Sequence, residues 1–233
     1  MKLCVIPARG GSKRIPRKNI REFAGKPIIA HSIAAAQRTG LFDRIVVYTD
    51  DEEIADVARQ YGAETPFLRP ADISDDYATT NMVVKHAIAW HRDHGFSVEY
   101  ACCIYATAPF VQARYLREGY ERLAQQADKQ FAFSVTSFPF PIQRALRIRA
   151  DGALEALAPE HRLTRSQDLE EAFHDAGQFY WGRAGAYLED AVLFSPVSLP
   201  VLLPRHLVQD IDTLEDWRRA ELMYAAARED LAD

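Results

Sequence analysis

The sequence predicts an α/β fold, a mainly parallel sheet with helices on both faces. Three observations predict it. From the amino terminus onward, short apolar runs take turns with helix-period segments in a βαβα order. The apolar runs are continuous enough to be strands covered on both faces. The helix-period segments carry start and stop signals at their ends.

Taken in order, residues 2–8 form the first strand and run into a glycine loop. Gly25, Lys26 and Pro27 open a helix over about 28–39, closed by Gly40. Residues 44–49 are a second strand. The segment 51–61 sets Ile54, Val57, Ala58 and Tyr61 on one helix face and stops at Gly62. A candidate short strand at 63–68 precedes a polar loop at 69–80, and Val83, Ala87 and Trp90 stripe the next helix. The run YACCIY, 100–105, is the most continuously apolar strand and is expected near the centre. Its exit, Ala106-Thr107-Ala108-Pro109, lies at the carboxyl end of that strand, where open α/β sheets bind ligands. Leu116, Tyr120, Leu123 and Ala127 mark a helix before a strand at 131–136.

The rhythm stops over about 137–176. Pro139, Pro141 and an Asp151-Gly152 turn between candidate strands 145–149 and 154–157 describe a hairpin excursion. It is either a surface insertion or a lid or dimer arm that completes a pocket. Residues 178–181 return to the sheet, and 207–211 lead into Asp210-Ile211-Asp212. Thr213 and Asp216 form a capping box for a last helix with Trp217, Ala220, Tyr224 and Ala227 on one face.

With 233 residues, 48% of them hydrophobic, the chain is expected to build one domain, 1–233, around a single large core. No apolar stretch approaches the ~20 residues of a membrane helix, and the start reads as a strand entering a loop rather than a signal peptide. A soluble, cytoplasmic protein with no membrane partner is expected. The three cysteines, Cys4, Cys102 and Cys103, sit in apolar runs without metal spacing and read as reduced core thiols. His86, His91 and His94 share one amphipathic segment without an HExxH pattern, which suits a partly exposed helix face.

The formal net charge is -5, yet Arg9, Lys13, Arg14, Arg17, Lys18, Arg21 and Lys26 stand in one stretch against the single acid Glu22. Gly10 and Gly11 lack a Cβ and can take positive φ, so an anion can approach the backbone N–H groups. Pro7 and Pro16 restrict the loop. A phosphate cradle is the reading these features favour over a solvated basic loop. It is neither a P-loop, which needs GxxxxGK followed by Ser or Thr, nor the GxGxxG of a dinucleotide fold. Asp210 and Asp212, two residues apart on an extended strand, point to one face and offer hard oxygen ligands suited to Mg²⁺ beside a substrate phosphate. A strand-end acid with a helix cap competes with that reading. Asp50 and Asp51 are helix-start acids favoured by the helix dipole.

The run PARGGSKRIPRKN resembles the N-terminal signature of the cytidylyltransferases that activate nine-carbon acidic sugars, the CMP-sialic acid synthetase family. The resemblance implies a Rossmann-like sheet of the nucleotide-diphospho-sugar transferase type and attack of a sugar hydroxyl on the α-phosphorus of CTP. By motif match, Arg9, Ser12 and Lys18 would bind the triphosphate with the backbone of Ala8, Gly10 and Gly11. Asn19, Arg69 and Thr80 would hold the cytidine, and Asp210 and Asp212 the magnesium. Arg9, Lys18 and the two aspartates are the catalytic candidates. At ~4 Å and an effective dielectric near 20, one Lys18 contact to phosphate is worth about 4 kcal/mol before desolvation.

The acceptor side departs from the sialic acid members, which usually read QPTSP where this chain has Tyr105-Ala106-Thr107-Ala108-Pro109. FSVTSFPFPIQRA and TRSQDLEEAFHDAGQFYWG look most like the pseudaminic acid cytidylyltransferases, and the likeness spans roughly residues 1–225. An acidic sugar with N-acyl groups needs a cation and neutral hydrogen-bonding groups. The candidates are Tyr105, Thr107, Gln143, Arg144, Arg165, Gln167, His174, Asp175, Gln178 and Tyr180. The family also implies a homodimer through the excursion. Cytidylyl transfer to N-acetylneuraminic, legionaminic or 3-deoxy-octulosonic acid is the alternative within the class. A non-enzymatic nucleotide or nucleic-acid binder is the alternative outside it, opposed by the acidic balance and the lack of an aromatic-interleaved basic surface. A dehydrogenase lacks its glycine fingerprint.

Overall fold

A computed structural model describes residues 1–70 and 79–231. Strand β1 (Lys2–Pro7) enters the basic loop, which closes with a 3-10 turn at Lys18–Ile20 and a small hairpin, β2 (Glu22–Phe23) and β3 (Lys26–Pro27). Helix α1 (Ile28–Thr39) follows and stops at Gly40, whose φ of 64° is the left-handed conformation a helix end uses. Then come β4 (Arg44–Tyr48) and α2 (Glu52–Gln60). The candidate strand at 63–68 reduces to one bridge, Glu64 beside Val46. Most of the polar loop expected at 69–80 lies outside the described residues, and Thr79 caps α3 (Thr80–Asp93).

Beyond it stand β5 (Tyr100–Ile104), α4 (Ala113–Gln125) and β6 (Phe131–Ser137). The excursion carries the expected hairpin as β7 (Leu146–Ile148) and β8 (Leu154–Ala156). It ends earlier than expected, because β9 (Phe173–Arg183) begins opposite Ser137. His174 and Asp175 are therefore sheet residues. Short helix α5 (Ala184–Leu188) and strand β10 (Ser198–Leu202) precede α6 (Leu214–Ala226), which carries the expected capping box.

The six long strands form one sheet in the order β10-β6-β9-β5-β1-β4. Only the pairs made by β9 are antiparallel, so the sheet is mainly parallel, as expected. Alternate residues of β1 serve opposite faces: Cys4 and Ile6 pack with α1 residues Ile29 and Ile33, while Leu3 and Val5 pack with α3 residues Val83 and Ile88. All three cysteines are buried free thiols in these layers. The chain leaves β1 toward β4 on one side and returns to β5 on the other, so the sheet opens a crevice at the carboxyl ends of β1 and β5.

A third cluster lies outside the sheet and fastens α6 under the basic loop. It joins Ile15 and Phe23 to Ile211, Trp217 and Ala220. His31 is buried beside it; its Nε2 lies 3.0 Å from the Phe23 carbonyl, and the Tyr224 hydroxyl donates to Nδ1 at 3.2 Å. Burial lowers the His31 pKa from 6.5 to about 4, so the fold holds a neutral ring. Between those values the unfolded chain takes up a proton that the fold excludes. The stabilising contribution is complete above the unfolded pKa and is lost on acidification, by about 2 kcal/mol at pH 5. We expect the fall in Tm from about pH 7 to about pH 5 to shrink in His31→Gln; an equal fall in both proteins would remove this group from the balance.

Candidate active site

The loop after β1 is built as a braced arch. Ala8 N–H donates to the Tyr48 carbonyl at 3.0 Å, and Asn19, itself buried, donates from Nδ2 to the Arg9 carbonyl at 2.9 Å. Ile15 is fully buried between these points. Neither Gly10 nor Gly11 uses the positive φ open to a glycine. Gly10 is required for space, since a Cβ there would sit 2.6 Å from Asp51 Oδ2. Its N–H, expected to face an anion, is already engaged by Asp50 Oδ1 at 2.9 Å.

The acidic pair arrives from the other end of the chain. The segment is not a sheet strand; 208–212 has no regular structure, because Leu203 makes the last backbone bond to β6 and a 3-10 turn at Arg205–Leu207 redirects the chain. Ile211 is nonetheless fully buried while Asp210 and Asp212 keep contact with solvent, the alternation expected of an extended stretch. Lys18 Nζ donates to the Ile211 carbonyl at 2.6 Å and lies 3.5 Å from Asp212 Oδ1, which Arg14 also meets at 2.8 Å. The protein packed around Asp210 raises its pKa, and the charge of Asp212 adds to the rise.

A cleft of about 500 Å³ opens between these parts. Six residues singled out from sequence for the nucleotide, Arg9, Ser12, Lys18, Asn19, Arg69 and Thr80, all line it, as do Tyr105, Thr107 and Asp212. Ala8, Gly10, Gly11 and Asp210 do not. Lys13 and Arg14 line it as well, although the sequence had counted them only as charge; their place in the same loop was the available signal. A second pocket of about 300 Å³ shares Thr80 and Tyr105 with the cleft and is lined further by Asn81, Asp175, Tyr180 and Phe194. The register of β6 against β9 shifts between Phe133 and Val135, and this irregularity separates Asp175 from Tyr180 and lets both face that pocket. Tyr180 donates its hydroxyl to Asp175 Oδ2 at 2.6 Å. Burial raises the pKa of both Tyr105 and Tyr180, so each hydroxyl keeps its proton.

The other acceptor candidates lie elsewhere. Gln178 is buried and braces the acidic segment, donating from Nε2 to the Leu207 carbonyl at 2.6 Å. His174 packs against Phe138 with ring centroids 4.8 Å apart. Gln143, Arg144, Arg165 and Gln167 belong to the excursion, away from both pockets, and the first three bond within it, to Glu170, Thr164 and Asp168.

The cleft thus collects cations along one wall and a carboxylate at its edge, an arrangement suited to a polyphosphate with a bound metal ion. Among the described residues no group of three or more metal-ligating side chains occurs, so a cation here would take its remaining ligands from phosphate and water. Asp210 and Asp212 fit that demand, because their mutual repulsion is relieved by a divalent ion.

A family model described as cytidylyltransferase matches residues 3–212. A pseudaminic acid cytidylyltransferase of Campylobacter jejuni is 47% identical over 97% of this chain and 97% of its own length. A CMP-N,N'-diacetyllegionaminic acid synthase of Legionella pneumophila is 33% identical over 98% of each chain. In fold, the chain is similar to a CMP:2-keto-3-deoxy-manno-octonic acid synthetase solved with CTP, with a TM-score of 0.69 at 15% identity, covering 97% of this chain and 98% of that one.

The two loop glycines are expected to differ. Asp51 cannot swing away from a Cβ at position 10, since it is also held by the Ile54 N–H and Arg17, whereas nothing lies within 4 Å of a Cβ at Gly11. Gly10→Ala should lose about 1–3 kcal/mol in denaturant unfolding and Gly11→Ala about 0.5 kcal/mol or less. Equal losses would mean that the contact with Asp51 is not what requires a glycine.

Proposed function

The chain belongs to the cytidylyltransferase family, and on that premise we propose that it transfers CMP from CTP to the anomeric hydroxyl of pseudaminic acid. The hydroxyl oxygen bonds to the α-phosphorus, the bond from that phosphorus to the bridging oxygen breaks, pyrophosphate leaves, and the hydroxyl's proton passes to solvent water. The observation that carries the proposal is the continuity of the cation-lined cleft with the second pocket, which share Thr80 and Tyr105 and so leave room for a nucleotide and an acceptor side by side. Likeness to the Campylobacter jejuni enzyme favours pseudaminic acid over the other nonulosonic acids.

On this proposal Arg9, Ser12, Lys13 and Lys18 hold the triphosphate, with Lys18 offsetting the charge that grows at phosphorus. Asn19, Arg69 and Thr80 lie on the cytidine side. Asp210 and Asp212 hold magnesium, which when bound supplies Lewis acidity toward phosphate and hydroxyl oxygens. The acceptor's carboxylate faces the loop cations. Its acylamido groups enter the second pocket, where Phe194 offers an apolar wall and Tyr105, Tyr180 and Asp175 offer hydrogen bonds. No helix among the described residues is long and apolar enough to cross a membrane, and CTP is made in the cytoplasm, where we place the reaction.

We also place a homodimer interface on the excursion. It exposes Phe140, Ile148 and Leu163 at 79%, 75% and 87%, more apolar surface than a short arm keeps in water without a partner. On that reading Gln143, Arg144, Arg165 and Gln167 meet an acceptor only across the interface.

Incubation with CTP, magnesium and each nonulosonic acid should release pyrophosphate with pseudaminic acid; release with N-acetylneuraminic acid alone would overturn the acceptor assignment. Lys18→Ala and Asp212→Asn should each lower kcat about 100-fold or more with the fold retained, and near-native turnover would take that residue out of the chemistry. Ile148→Glu with Leu163→Glu should convert a dimer to a monomer in sedimentation; a native chain that is already monomeric would contradict the arm's role.

A further inference from the structure

We infer that Arg17 and Asp51 are positioning residues, a clamp that sets the direction of Lys18 into the cleft. This rests on the role proposed for Lys18. Arg17 has φ 55° and ψ 31°, the left-handed region that side-chain-bearing residues avoid. A residue persists there only when its surroundings hold it. The holder is Asp51: Arg17 Nη1 donates to Oδ2 at 2.5 Å and Nη2 to Oδ1 at 2.9 Å, a two-pronged pair that Glu53 extends.

Asp51 is fixed independently of Arg17. It caps α2 by accepting from the Ile54 N–H at 3.0 Å, and its own N–H donates to Thr49 Oγ1 at 3.1 Å. Its neighbour Asp50 takes the Gly10 N–H, and Asp51 Oδ2 occupies the space a Cβ at Gly10 would need. The start of α2 thereby grips the loop at Gly10, next to Arg9, and at Arg17, next to Lys18. Neither Arg17 nor Asp51 lines the cleft.

The pair is partly open to solvent, with side-chain exposures of 38% and 23%, so its worth to overall stability is small. Its effect is geometric. With the left-handed turn released, the chain enters the Lys18–Ile20 turn from another direction, and Nζ no longer converges on the Ile211 carbonyl and the cleft beside it.

The test is a double-mutant cycle on the full chain with CTP, magnesium and pseudaminic acid. Arg17→Ala should lower kcat about tenfold or more with little change in Tm, Arg17→Lys should recover part of the loss, and Asp51→Asn should match Arg17→Ala. If Arg17 acts through Lys18, adding Arg17→Ala to Lys18→Ala slows the enzyme no further than Lys18→Ala alone. Unchanged turnover in Arg17→Ala, or losses that multiply in the double variant, would overturn the clamp. If the native chain releases no pyrophosphate with any nonulosonic acid, the functional proposal fails separately. The same cycle is then read from the Kd for CTP by calorimetry, with the same non-additivity expected and a multiplicative result again contradicting it.

Discussion

One hydrogen bond joins the two ends of this chain where it matters most. Lys18 donates to the carbonyl of Ile211, 193 residues away, at 2.6 Å. Both partners are anchored from below, because Ile15 and Ile211 are fully buried in the same cluster as Phe23 and Trp217. A basic loop that was only tethered to β1 would sample many directions, and ordering it on a ligand would cost conformational entropy at each residue. Here the packing has already met that cost, and the alternation around Ile211 turns two carboxylates toward solvent beside the lysine.

The same packing settles how an acidic protein presents a cationic cleft. The loop's positive charge is not left to repel itself: Asp51 and Glu53 hold Arg17, and Asp212 draws Arg14 and Lys18. The carboxylates nearest the loop are thus structural counter-charges at one end and proposed metal ligands at the other. On the proposed function, an incoming triphosphate with its magnesium would replace one charge-balanced arrangement by another, so binding need not bring bare cations together. The adjoining pocket works on different principles, with an apolar wall, protonated tyrosines and one carboxylate, Asp175, that accepts the Tyr180 hydroxyl, in place of a row of cations, as suits the uncharged amides of the proposed acceptor.

Much of the fold was legible because its signals are local. Helix α1 could be bounded by Gly40, α6 by its capping box, and β1, β4 and β5 by short apolar runs. What was hidden depended on distance. Pro200 disguised β10, which tolerates a proline because it lies at the sheet edge. The polar residues His174 and Asp175 and the register shift disguised the first half of β9. Motif spacing pointed to the cation-lined cleft, since about half of its wall comes from one continuous stretch, residues 7–19. The acceptor side could not be read the same way: its candidates are scattered over a sheet strand and the excursion, and only folding shows that Asp175 and Tyr180 share a pocket with Tyr105 while Arg165 does not. The pairing of Arg17 with Asp51, across 34 residues, has no motif at all; sequence assigned Asp51 to a helix start, which is half of what it does.

The central claim is that one cleft, closed by the Lys18 and Ile211 contact, receives the nucleotide and its metal together. A crystal structure of the chain with CTP and magnesium tests it most directly. The account predicts the triphosphate against Arg9, Ser12 and Lys18, the cytidine toward Asn19 and Arg69, and a metal ion bridging phosphate oxygens to Asp212. A nucleotide bound away from the loop, or a metal ion that leaves both late aspartates unligated, would contradict it.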